Sequence, residues 1–206
     1  MSHAAASPIE EQSHHAEYSC TGISNKKLCM WAFLASNCMF FGILITTHLI
    51  YRKTAAEPIV VTALLNIPLT SFSTLIFITS SLLMARGVSA IHNANLKMTR
   101  WMLLGVITLG LIFPGYQIYE FTHFFHQKGL TLSSHLFGST FYLLVGIHGL
   151  QVILGVLWLF SWLVYSFTGK MIPEQAIDVE IAGLYWHFLS IVWCIIFLVV
   201  YLMEYL

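Results

Sequence analysis

Glu180 and His187 are the residues of this chain best equipped for chemistry. They lie in the run from Glu180 to Trp193, beside Tyr185, Trp186, Phe188 and Ser190. Seven positions apart on a helix, the acid and the imidazole share a face, two turns from each other. The stretch after them, from Cys194 on, is apolar up to Tyr201. Ionisable groups leading into sequence of that kind are costly and usually face protein. Trp186 and Trp193 mark a packed aromatic face on the same segment.

A second group is Gln117, Glu120 and His123, spaced by three and so forming one polar stripe. Glu120 is the acid placed furthest into apolar surroundings. It reads either as a proton or lipid-headgroup site, or as an acid hydrogen-bonded to a neighbouring helix. A third group is His148 with Gln151 one turn on. His148 reads as an interhelical donor, or with His187 as one of two axial haem ligands. Asn37 does not titrate, and its reading is an interhelical hydrogen bond worth about 1 kcal/mol or less. Cys20, Cys29, Cys38 and Cys194 show no C-x-x-C spacing and read as small apolar residues, not as a metal or disulfide set.

The elements that position these residues follow from composition. Of 206 residues, 58% are hydrophobic and 9% charged, against roughly 25% charged in a soluble domain. The chain therefore reads as an integral membrane protein, all-α. Zero net charge argues against nucleic acid as a partner. Five segments carry the roughly 20 apolar residues that a spanning helix needs, at 27–51, 62–91, 96–126, 135–167 and 178–204. Runs such as Ile195 to Val200 do not alternate, which excludes a β-barrel.

Residues 1–25 read as a mobile cytoplasmic tail and 26–206 as one five-helix domain. The tail has no apolar h-region and carries Glu10, Glu11 and Glu17, so it is not a signal peptide. Lys and Arg set the orientation. The N-terminal side and even loops hold Lys26, Lys27, Arg86, Lys97, Arg100 and Lys170; the odd loops hold Arg52, Lys53 and Lys128. Six against three places the N-terminus in the cytoplasm and the C-terminus outside.

The second segment is rich in Ser and Thr, from Thr70 to Ser81, and reads as a close-packing face with hydroxyls bonded back to the backbone. Pro68 is expected in its first turns, where the missing donor costs least. Gly138, Gly146, Gly149 and Gly155 clear one face of the fourth segment for a neighbouring helix. His48 and the terminal Tyr201, Glu204 and Tyr205 are expected at the outer membrane interface.

Four motifs in series carry a family resemblance. They are Trp31 to Gly42; Gly110 to Phe113 followed by Gln117 and Glu120; Gly138 to Phe141 with Gly146 to Gly149; and Glu180 to Trp193. Together they resemble subunit III of the haem-copper respiratory oxidases, in its short five-helix bacterial form. The resemblance runs from Lys26 nearly to the end.

It implies a multi-pass protein of the bacterial plasma membrane, part of a cytochrome c oxidase complex and without a catalytic centre of its own. Haems and copper are then expected in partner subunits, with none in this chain. The implied partners are oxidase subunits I and II, membrane phospholipids held in a helix cleft, and other respiratory complexes. The implied role is to support proton uptake and keep subunit I from inactivating during turnover. Asn37, Gln117, Glu120, His148, Gln151, Glu180, Trp186, His187 and Ser190 then support structure, lipid or protons. Three positions depart from the family pattern. Asn37 and Ser190 stand where the family usually has acids, and Gln151 where it often has a second histidine. The other assignments open are subunit III of a quinol oxidase, a subunit of a nitric oxide reductase-type complex, and a bis-His haem anchor.

Overall fold

The computed structural model describes residues 24–54, 67–128, 136–168 and 175–203. The described residues form five long helices and no strand beyond an isolated bridge residue. We number them α1 (Asn25–Thr54), α2 (Ile67–His92), α3 (Leu96–Lys128), α4 (Leu136–Phe167) and α5 (Ala176–Ile196). A π-helical segment, Phe197–Leu202, continues α5. Each of the five is long and apolar enough to cross a bilayer. Inside lipid, backbone N–H and C=O groups have no water to bond, and a helix satisfies them internally.

With the π-helical segment counted as the end of the fifth span, the described helix ends fall within three residues of those read from the sequence, except at the start of α2. Residues 62–66 lie outside the described residues, as do Cys20, Glu204, Tyr205 and the tail histidines His3, His14 and His15. Pro68 sits in the first turn of α2, as expected. Pro114 lies inside α3. It has no N–H to offer the Gly110 carbonyl four residues back.

α5 is the centre of the bundle. It packs against α2 on one side and against α1 and α4 on another, while α2 pairs with α3 and α3 with α4. Half of α5's most apolar window is buried, against 17% for α1. The outward faces carry large apolar side chains, such as Met39, Ile43, Trp101 and Leu154, as lipid contact requires.

One tight turn, between α2 and α3, is described in full. Asn95 N–H bonds to Ala90 O at 3.0 Å and Ala94 N–H to Ile91 O at 2.9 Å. That is a Schellman closure with Ala94 in the left-handed region, φ 54°. Asn95 then caps α3, its Oδ1 accepting from Met98 N–H at 3.2 Å.

Candidate functional site

Trp186 is the side chain around which the helices close. Its indole is wholly buried and donates from Nε1 to Ser80 Oγ on α2 at 3.1 Å. The ring lies across two glycines of two different helices. A Cβ on Gly110 of α3 would stand 2.7 Å from Trp186 Cη2, and one on Gly155 of α4 would stand 3.1 Å from Cζ3. Two turns along, Trp193 repeats the pattern, Nε1 donating to Thr74 Oγ1 on α2 at 2.9 Å. The hydroxyls of α2 thus act as acceptors for α5 as well as bonding back to their own backbone, as Thr74 and Ser80 also do. The backbone role was legible in the Ser/Thr run, and the acceptor role was not.

His148 is enclosed by rings. Phe41, Phe77, Phe113 and Trp193 have centroids 6.2, 6.1, 5.9 and 5.2 Å from its imidazole. Its Nε2 lies 3.0 Å from the carbonyl of Leu189 on α5. A carbonyl only accepts, so Nε2 carries the proton and Nδ1 the lone pair. Three residues on, Gln151 Nε2 donates to Asn37 Oδ1 on α1 at 2.8 Å. Asn37 passes its own Nδ2 proton to Phe33 O at 3.2 Å. Tyr185 donates to the Gln151 carbonyl at 3.1 Å.

Glu120 is buried near the end of α3 and receives hydroxyls from three directions. Tyr201 OH donates to Oε2 at 3.0 Å; Thr70 Oγ1 and Tyr116 OH reach Oε1 at 3.3 Å each. Tyr201 was expected at the outer interface and is instead fully buried. It lies in the π-helical segment, where Met203 N–H bonds five residues back to Leu198 O at 3.0 Å. His48 is corrected likewise: it is buried between α1 and α4, with Nδ1 3.0 Å from Thr140 Oγ1.

The polar stripe of α3 does not act as one unit. Gln117 is buried and packs its amide over Gly149, with Nε2 3.5 Å from Val145 O on α4. His123 stacks on Tyr119 instead. Glu180 and His187 separate as well. Glu180 sits at the bundle end, 2.7 Å from Lys27 Nζ and 3.7 Å from His92 Nε2. His187 is 2.6 Å from Ser81 Oγ on α2. Ser190 bonds only to its own helix, at Trp186 O, 3.0 Å. Lys26 pairs with Asp178 at 3.0 Å. Lys26 and Lys27, read above only for orientation, therefore tie α1 to α5.

The geometry points to a set of helix-to-helix ties. Among the described residues, no three His, Cys, Asp or Glu side chains converge on a point. Cys29, Cys38 and Cys194 are free thiols.

Comparison with known proteins decides the assignment. The family model for cytochrome c oxidase subunit III matches residues 9–205. The chain belongs to the cytochrome c oxidase subunit III family. It is 37% identical to cytochrome c oxidase subunit 3 of Bacillus subtilis, over 87% of this chain and 86% of that one. It is 32% identical to a probable quinol oxidase subunit 3 of Staphylococcus saprophyticus, over 98% and 96%. It is 30% identical to quinol oxidase subunit 3 of Bacillus subtilis, over 95% and 92%. This subunit III is therefore a multi-pass bacterial membrane protein and part of a haem-copper oxidase complex. The bis-His haem reading fails on space. A macrocycle on His148 would have to occupy the volume that Phe41, Phe77, Phe113 and Trp193 fill.

Proposed function

We propose that this subunit III is a non-redox accessory subunit that stabilises the catalytic subunit I, alongside subunit II, and holds phospholipid. One observation carries the reading. Of the nine residues that the resemblance marks as supporting structure, lipid or protons, all but Ser190 bond to a different helix: Asn37 with Gln151, His148 with Leu189, Glu120 with Tyr201, His187 with Ser81, Trp186 with Ser80, Gln117 with Val145, Glu180 with Lys27. Such side chains fix a shape, and a fixed shape is what an accessory subunit contributes. The lysine-rich end at Lys26 and Lys27 is the cytoplasmic one on the positive-inside rule.

The haems and copper belong to the partner subunits in this reading. The electron donor is cytochrome c or a quinol, and relatives named for each support both. One of the two positions usually acidic in the family is Asn37 here, hydrogen-bonded as a neutral amide, which argues against a carboxylate proton relay at that site.

The test is a gentle solubilisation of the tagged chain with reduced-minus-oxidised spectroscopy. A haem- and copper-containing subunit I should copurify, and the separated chain should be colourless. Haem retained by the chain alone would sink the proposal.

A further inference from the structure

α5 is wrapped on nearly every side, and one line of it is left open. From Ile181 to Trp193 only Leu184, His187, Phe188 and Ile191 escape burial. Glu180 shows where this line looks. It reaches Lys27 on α1 at 2.7 Å and His92 on α2 at 3.7 Å, so it points into the gap between those two helices. Steps of four and three from Glu180 lead to Leu184, His187, Ile191 and Cys194, which share its face. α1 and α2 each pack on α5 but not on each other. The gap between them is therefore a groove, floored by α5 and closed at one end where Glu180 joins Lys27 and His92.

A lipid tail would suit Leu184 and Ile191, but it leaves His187 unmet. The imidazole stands near the middle of the span Ala176–Leu202, about 16 Å along from Ala176 at 1.5 Å per residue. Its Nδ1 is held by Ser81 Oγ at 2.6 Å. Its Nε2 has no partner among the described residues, and it is open to the groove, whereas Nδ1 of His148 is sealed in the core. A ring nitrogen donates or accepts according to the tautomer, and at this depth no water or headgroup is at hand to meet it. Ionisable side chains in the hydrocarbon region face protein. Hydroxyl and amide side chains of a neighbouring helix bond across such contacts. A second copy of this chain fits poorly, because a recessed floor set against its own two-fold mate leaves a void between them. We propose that the groove between α1 and α2 seats a transmembrane helix of the catalytic subunit I, which meets His187 Nε2 with a hydroxyl or amide side chain. The accessory reading above supplies the partner; the groove and its open nitrogen belong to this chain.

The test uses the intact oxidase with benzoylphenylalanine in place of Ile191 or of Leu184. Light should link this chain to subunit I from both positions. Release of this subunit from the complex in detergent is the second readout. His187→Leu should speed it about threefold, which is the worth of one interhelical hydrogen bond in a membrane. His187→Gln keeps a polar group at the same reach and should restore most of the wild-type rate. Ser81→Ala frees the same ring from α2 but leaves Nε2 in place, so release should stay close to wild type. Links to lipid alone or to a second copy of this chain, or equally fast release of the His187→Leu and Ser81→Ala variants, would overturn the proposal while leaving the accessory role intact. A purified complex with no haem-copper subunit would overturn the accessory role, and this inference with it.

Discussion

Gln151 on α4 gives its amide proton to Asn37 on α1, Nε2 to Oδ1, at 2.8 Å. These are two of the three positions where the chain departs from its family's usual residues, and they meet each other. The direction of the bond follows from the amide's orientation: Asn37 turns Nδ2 to Phe33 O, which leaves Oδ1 facing Gln151. Gln151→Leu should loosen α1, the least buried helix. A double-mutant cycle with Asn37→Ala should return a coupling of about 0.6 kcal/mol, typical of interhelical bonds in membranes. Thermal release of subunit III from the complex would read it. Asn37→Asp should assemble and leave proton uptake nearly unchanged; a large change would show that the position can carry protons.

Trp186 makes the sharpest steric prediction. Gly110→Ala drives a methyl into the indole edge, and we expect a loss of about 1–3 kcal/mol, the usual penalty for overpacking. Gly42→Ala is the control. Nothing lies within 4 Å of its added Cβ, so it should be neutral or gain up to about 1 kcal/mol from helix propensity. Denaturation midpoints of the two complexes would separate them.

The Glu120 cluster should be stronger than the ion pairs at the bundle end. Tyr201→Phe removes one hydroxyl from a buried acid and should cost about 1.5–3 kcal/mol. Lys26→Gln breaks a pair whose lysine is 66% exposed, and should cost about 1 kcal/mol or less, fading with added salt. Comparable losses from the two variants would contradict this ranking.

Ala94 occupies a left-handed position that suits glycine. Ala94→Gly should raise stability by up to about 1 kcal/mol, since the penalty for a side chain there is about 1–2 kcal/mol and glycine's extra chain entropy takes part of it back. A lower midpoint for this variant would mean that the turn is held open by something other than its backbone.

The five spans and nearly all their ends could be read from the sequence, because a bilayer demands length and apolarity and little else. The faces could not. Among the apolar residues of α1 to α4 no stripe tells core from lipid side, and Phe77 and Phe72 look alike until one is buried and the other exposed. Asn37, Gln117, Glu120 and His148 were legible as residues that needed partners, because polar groups in lipid must find them. Which partner was decided by packing. The π-helical winding has no mark in the run Phe197 to Leu202, which reads as ordinary apolar helix. His48 was misjudged for a similar reason: nearness to a helix end says nothing about whether another helix stands beside it.

The most direct test of the accessory role is oxygen consumption by the purified oxidase with and without this subunit, followed through sustained turnover. The account predicts equal haem content and similar initial rates, then progressive loss of activity only in the complex that lacks subunit III. Undiminished activity without it through the same number of turnovers, or haem lost with it, would contradict the account.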